Sequence, residues 1–178
     1  MVELLVLGPE GSGKSLLIRR LQQLCADGDE EGDQSESTIP TVGVDISSVD
    51  IDEKLLTIRE IGATMASKWE SYFQGCSALL FVVDVSDLGA IASDLVLLHE
   101  VLSNKATITG KPFAILFNKM DLVSDPSTVA VMYNLLRIED LQRENMDDLN
   151  IVLLSGSSLS KTSSAYCVRA WMRSANFN

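Results

Sequence analysis

Histidine is almost missing from this 178-residue sequence: His99 stands alone, and the three cysteines, Cys25, Cys76 and Cys167, lie far apart with no Cys-x-x-Cys pair. A zinc centre needs several such ligands at close spacing, so none is expected. The odd, scattered cysteines read as reduced thiols. Basic residues are scarce as well, 14 Lys and Arg against 25 Asp and Glu, for a formal net charge of −11. Without a basic patch nothing can displace counterions from a nucleic-acid backbone or hold the chain on anionic lipid, so both classes of partner are excluded. No apolar run approaches the ~18 residues that a spanning helix requires. Val2 stands where N-myristoylation needs glycine, and Ala175–Asn178 is not a prenylation box. Met1 is followed at once by an apolar strand pattern, not by a secretory leader. These absences together predict a cytoplasmic monomer without an intrinsic membrane anchor.

Hydrophobic residues make up 46% of the chain and charged residues 22%, an ordinary globular balance, and the length suits one domain over residues 1–178. Short apolar runs bounded by turn residues predict strands at Val2–Leu7, Ala78–Asp84, Phe113–Asn118 and Ile151–Leu154. Val44–Ile51 and Lys54–Ile61 read as a hairpin through Asp52 and Glu53. Helical spacing predicts helices over Lys14–Leu24, Trp69–Phe73, Ala90–Ser103, Val129–Leu136 and Ala165–Arg173. The expected fold is α/β: a mostly parallel six-stranded sheet with one antiparallel edge strand and about five helices. Asp27–Ser37 has no apolar residue to offset its ordering entropy, so a flexible acidic surface loop is expected there.

Two motifs carry chemistry. The first is Gly8-Pro9-Glu10-Gly11-Ser12-Gly13-Lys14-Ser15, a Gly-x-x-x-x-Gly-Lys-Ser run between a predicted strand and a predicted helix. Glycines let backbone N–H groups close around phosphate oxygens, and the helix N-terminus adds partial positive charge. Lys14 would meet the β- and γ-phosphates, and the Ser15 hydroxyl would bind Mg²⁺. The second is Asn118-Lys119-Met120-Asp121, at the end of a later strand. The Asp121 carboxylate would accept from guanine N1–H and N2–H₂, whereas adenine offers a bare acceptor at N1. Lys119 would lay its stem over the base, and Asn118 would tie the base to the phosphate loop. Ligands of open α/β sheets bind at this strand edge. The pair therefore predicts a GTP/GDP site with Mg²⁺.

With Thr38-Ile39-Pro40-Thr41-Val42-Gly43 and the stretch Trp69–Asp84, these motifs make the chain resemble the Arf and Arf-like branch of the Ras-like small GTPases, from Val2 to about Trp171. The resemblance implies a small-GTPase fold and a regulatory switch in membrane or ciliary transport, peripheral to membranes through partners. It gives Thr41 a Mg²⁺-binding and γ-phosphate role, and Glu60 an indirect hold on Mg²⁺. A backbone N–H within Ser155-Gly156-Ser157-Ser158 would meet the guanine oxygen. Effectors and regulators would engage Thr38–Gly43 and Glu60–Tyr72.

The chain departs from the family at Glu60-Ile61-Gly62-Ala63-Thr64, where Asp-x-Gly-Gly-Gln is expected. Glu60 is one methylene longer than the usual Asp. Ala63 brings a Cβ to a glycine position, and is expected to restrict the backbone there. Thr64 stands where Gln orients the attacking water, so no catalytic residue can be assigned and hydrolysis should be weak or partner-dependent. An aromatic triad of the family is reduced to Val44, Arg59 and Tyr72. Asp84 suggests a metal-binding Walker B aspartate, but is expected to be a cap or loop anchor. Glu10 is expected to face solvent, Trp69 and Phe73 to pack, His99 to lie on the surface, and Cys76 to be a partly buried thiol.

Overall fold

The computed structural model describes residues 2–26, 41–137, 140, 143, 151–157 and 164–175. The expected acidic loop at 27–37, residues Thr38–Pro40 and Ser158 lie outside the described residues. Six strands form one sheet: β1 (Val2–Leu7), β2 (Val44–Ile51), β3 (Lys54–Ile61), β4 (Ala78–Asp84), β5 (Phe113–Asn118) and β6 (Ile151–Ser155). Their spatial order is β2-β3-β1-β4-β5-β6. The β2–β3 pair is antiparallel, with Val44 opposite Ile61, and the other four pairings are parallel. The hairpin turn holds Asp52 and Glu53 at φ 53° and 65°.

The described α-helices are α1 (Lys14–Ala26), α2 (Glu70–Phe73), α3 (Ile91–Ser103), α4 (Lys105–Ile108), α5 (Pro126–Leu135) and α6 (Ser164–Ser174), with 3₁₀ segments at Ala63–Lys68 and Met120–Leu122. Two of these six, α2 and α4, are single turns, and the five expected helices correspond to α1, α2, α3, α5 and α6. The start of α5 differs from the expected Val129 because Asp125 caps it, accepting from Ser127 N, and Pro126 supplies a preset φ at the first turn.

Side chains alternate across the strands and build a core on each face. Leu5, Leu7, Phe81, Phe113 and Phe117 face the side covered by α3 and α5, where Trp69 and Phe73 also pack. Leu4, Val6, Ile58 and Leu80 face α1 and α6 through Leu17, Leu21, Val168 and Trp171. Burying both faces explains why β1, β4 and β5 read as continuous apolar runs. The strand order reverses at β1, whose neighbours are β3 and β4. The crevice beyond the carboxyl end of such a strand is where this architecture binds ligands.

Candidate functional site

Residues Gly8–Ser15 connect β1 to α1 at that crevice. Gly13 takes φ 91°, and a Cβ there would lie 2.5 Å from Asn118 Nδ2, so both its backbone and its surroundings require glycine. The Lys14 ammonium donates to the carbonyls of Gly8 at 2.9 Å and Pro9 at 2.7 Å. Burial lowers its pKa, partly opposed by the carboxylates of Glu60, Glu10 and Asp94. Its side chain is thus held inside the loop it serves. Glu10 and Gly11 are exposed and Ser12 is buried.

Three oxygens converge beside this loop. The hydroxyls of Ser15 and Thr41 both donate to Glu60 Oε1, at 2.8 and 3.0 Å, and lie 3.0 Å from each other. Neighbouring ligands of an octahedral Mg²⁺ with bonds of 2.0–2.1 Å lie about 2.9 Å apart, so this hard-oxygen set fits that cation. These residues, with Ala63 and Thr64, line a cleft of about 250 Å³ that also includes Lys14. Ala63 opens a 3₁₀ segment whose non-helical residue is Met65. Thr64 is exposed. Gly62 N–H donates to Gly43 O at 2.9 Å and links the segments that flank β2 and β3.

The base-reading candidates follow β5. Asn118 is fully buried and its Nδ2 donates to Ser12 O at 2.8 Å, joining the end of β5 to the Gly8–Ser15 loop. Lys119 adopts φ 63°, and its ammonium pairs with Asp84 Oδ2 at 2.6 Å. Asp84 Oδ1 also accepts from Ser86 N and Oγ at 2.9 and 2.6 Å. The loop-anchor reading of Asp84 therefore stands, and its partner is a residue that sequence reasoning did not link to it. Asp121 is exposed in the 3₁₀ turn. Ser155 ends β6 alongside and Gly156 and Ser157 follow it: Gly156 N donates to Phe117 O at 3.0 Å, and Gly156 O accepts from Met120 N at 3.2 Å.

Away from the crevice, Val44, Arg59 and Tyr72 do come together. Val44 and Arg59 share one face of the hairpin, and the Arg59 guanidinium lies 5.7 Å from the Tyr72 ring centroid while it pairs with Glu3 at 2.8 Å. Ile46 and Leu55, both exposed, extend this face, and Val42 just before β2 is 87% exposed. His99 is exposed, and Cys76 is buried with its thiol pushed up to about 11 by burial. Among the described residues no group of three or more His, Cys, Asp or Glu converges as a metal site, and no helix is long and apolar enough to cross a membrane.

Comparison with known proteins points one way. A model of the ADP-ribosylation factor family matches residues 1–168. Human ADP-ribosylation factor-like protein 16 is 34% identical over 177 residues, covering 97% of this chain and 85% of that protein. ADP-ribosylation factor-like protein 8d of Arabidopsis thaliana is 30% identical over 123 residues, covering 68% of this chain and 65% of that protein. The solved Arl6 (BBS3) small GTPase of Trypanosoma brucei, bound to the nucleotide analogue GppNp, matches with a TM-score of 0.76 and 20% identity over 97% of this chain and 95% of its own. At that identity the likeness is one of fold.

Proposed function

Because the chain belongs to the ADP-ribosylation factor family, we propose that it is a guanine-nucleotide-binding regulatory protein that alternates between GDP and GTP forms with Mg²⁺. The observation that carries this reading is the 2.8 Å bond from Asn118 to Ser12, which unites a phosphate loop and a guanine-selective loop in one crevice. Gly8, Glu10, Gly11, Ser12, Gly13, Lys14 and Ser15 contact the phosphates, chiefly through backbone N–H groups and the Lys14 ammonium. Asn118, Lys119 and Asp121 read the base, helped by Ser155, Gly156 and Ser157. Ser15 and Thr41 would hold Mg²⁺, with Glu60 acting indirectly, and the ion neutralises phosphate charge when bound. Thr38–Gly43 and Glu60–Tyr72 form the face offered to effectors and regulators, and a monomer in membrane or ciliary trafficking suits the family.

Hydrolysis on this reading is slow. A threonine hydroxyl at position 64 cannot both donate and accept in the manner of a glutamine amide. The rate should lie below the roughly 10⁻⁴ s⁻¹ of unassisted Ras-type proteins. The test is to release nucleotide from the purified protein, identify it by chromatography, and follow added Mg²⁺-GTP over time. Guanine nucleotide with slow conversion to GDP is the expected result; adenine nucleotide alone would overturn the reading.

The substituted, exposed Thr64 favours a second reading, a constitutively GTP-bound interaction module whose nucleotide stabilises the fold by linkage. Limited proteolysis at Thr38–Gly43 separates the two. Different patterns with GDP and a non-hydrolysable GTP analogue indicate a switch, and identical patterns indicate the module.

A further inference from the structure

The Asn118 side-chain amide is gripped at both ends. A carbonyl oxygen only accepts hydrogen bonds, so the contact to Ser12 O identifies the nitrogen end. The oxygen end then receives the hydroxyl of Ser164, which donates to Asn118 Oδ1 at 2.8 Å. Ser164 is the first residue of α6, is fully buried, and lies 46 residues along the chain from Asn118. Its backbone N–H donates to Ser157 O at 2.9 Å. It also presses on the residue between: a Cβ on Gly156 would lie 2.8 Å from Ser164 N and 3.0 Å from its Cα. One serine therefore touches both base-side loops directly and reaches the phosphate loop through Asn118.

Resting on the guanine-nucleotide reading above, we propose that Ser164 is the positioning residue of the base pocket. It sets the rotation of the Asn118 amide through its hydroxyl, and the path of residues 155–157 through its backbone. It acts through these groups and contacts no nucleotide atom itself. Removing the hydroxyl takes away the donor that faces Asn118 Oδ1 and loosens the amide that joins base loop to phosphate loop.

The experiment measures release of a fluorescent GDP from the full chain by stopped flow, with thermal melts alongside. The variants are Ser164→Ala, Ser164→Thr, Ser164→Cys, Asn118→Ala, and the Ser164→Ala, Asn118→Ala double variant. Ser164→Ala should speed release about tenfold, the scale of one hydrogen bond. Ser164→Thr keeps the hydroxyl and should stay within about threefold of the parent. In the Asn118→Ala background, loss of the hydroxyl should add nothing, because the two residues act as one unit. Parent-like release from Ser164→Ala, or full additivity in the double variant, overturns the proposal. Should Ser164→Ala fail to fold, Ser164→Cys preserves the volume with a weaker donor, and parent-like release from it is equally decisive. A parent protein carrying adenine nucleotide would instead sink the functional reading, a result that cannot be confused with parent-like release by a serine variant.

Discussion

The loops that follow β1, β5 and β6 are bonded to one another, whereas the segments flanking β2 and β3 join each other through Thr41–Glu60 and Gly43–Gly62 and carry exposed residues beside these bonds. On the first side Asn118 reaches Ser12, Ser164 reaches Asn118, Gly156 exchanges backbone bonds with Phe117 and Met120, and Lys119 pairs with Asp84. On the second side Thr41 and Glu60 share a hydroxyl–carboxylate contact, Gly62 reaches Gly43, and Val42 and Thr64 are exposed. The first side keeps the residues that the family's binding motifs require. The second side is where Glu60, Ala63 and Thr64 depart from them. On the proposed function, the contrast teaches that holding a nucleotide and turning it over would fall to different parts of this fold, so one could change while the other is kept.

The most severe way to break the binding side is Lys14→Ala. Losing a buried, hydrogen-bonded cation should weaken GDP and GTP binding on the order of 100-fold or more, measured by calorimetry on protein shown to be folded. Retention of tight binding would place the phosphates elsewhere. Asp121→Asn tests the base alone: guanine affinity should fall by about 100-fold and xanthine nucleotide should become the better ligand. Unchanged guanine selectivity would remove Asp121 from its role. Thr64→Gln probes the other side, and should raise single-turnover GTP hydrolysis about tenfold while leaving nucleotide affinity within about twofold. A change in affinity with no change in turnover would collapse the distinction between the two sides.

The smallest effect concerns Asp94, whose buried oxygens have no hydrogen-bond partner among the described residues. Burial, with Asp84 and Asp87 nearby, pushes its pKa from 3.8 up to about 6, opposed by Lys14. A carboxyl that titrates higher in the folded chain than in the unfolded chain opposes folding once it ionises. The penalty is absent below pH 3.8, grows through pH 6 and is complete above it. Asp94→Asn should therefore be more stable than the parent by about 1–2 kcal/mol at pH 7.5, with the gap closing in denaturant melts near pH 4. An equal gap at both pH values would mean that the charge is not the cause.

The strands were legible almost residue for residue, because a run buried on both faces, such as Ala78–Asp84, carries its signal locally. Lys14 and Ser15 were legible for a related reason, since their pattern is compressed into the eight consecutive residues Gly8–Ser15, and Asn118 opens a second compact run, Asn118–Asp121. What escaped the sequence was pairing at a distance. Asp84 and Lys119 are 35 residues apart, and Ser164 and Asn118 are 46 apart, with no periodicity to join them. The single turn Lys105–Ile108 was also missed, since four residues are too few to show a helical period. The exposed face carrying Ile46 and Leu55 was hidden because β2 alternates imperfectly, with Ser47 and Ser48 adjacent.

The sheet order assigns these two sides different clocks. β1, which leads into Gly8–Ser15, lies between β3 and β4, while β2, which follows Thr41, is the end strand of the described sheet. Amide hydrogens of a central, doubly paired strand exchange with solvent through opening of the whole domain, and those of an edge strand through local fraying. Lys14 thus follows a strand expected to exchange slowly, and Thr41 precedes one expected to exchange faster. By that physics the start of β2 should fray many times for each opening that frees β1 from its register.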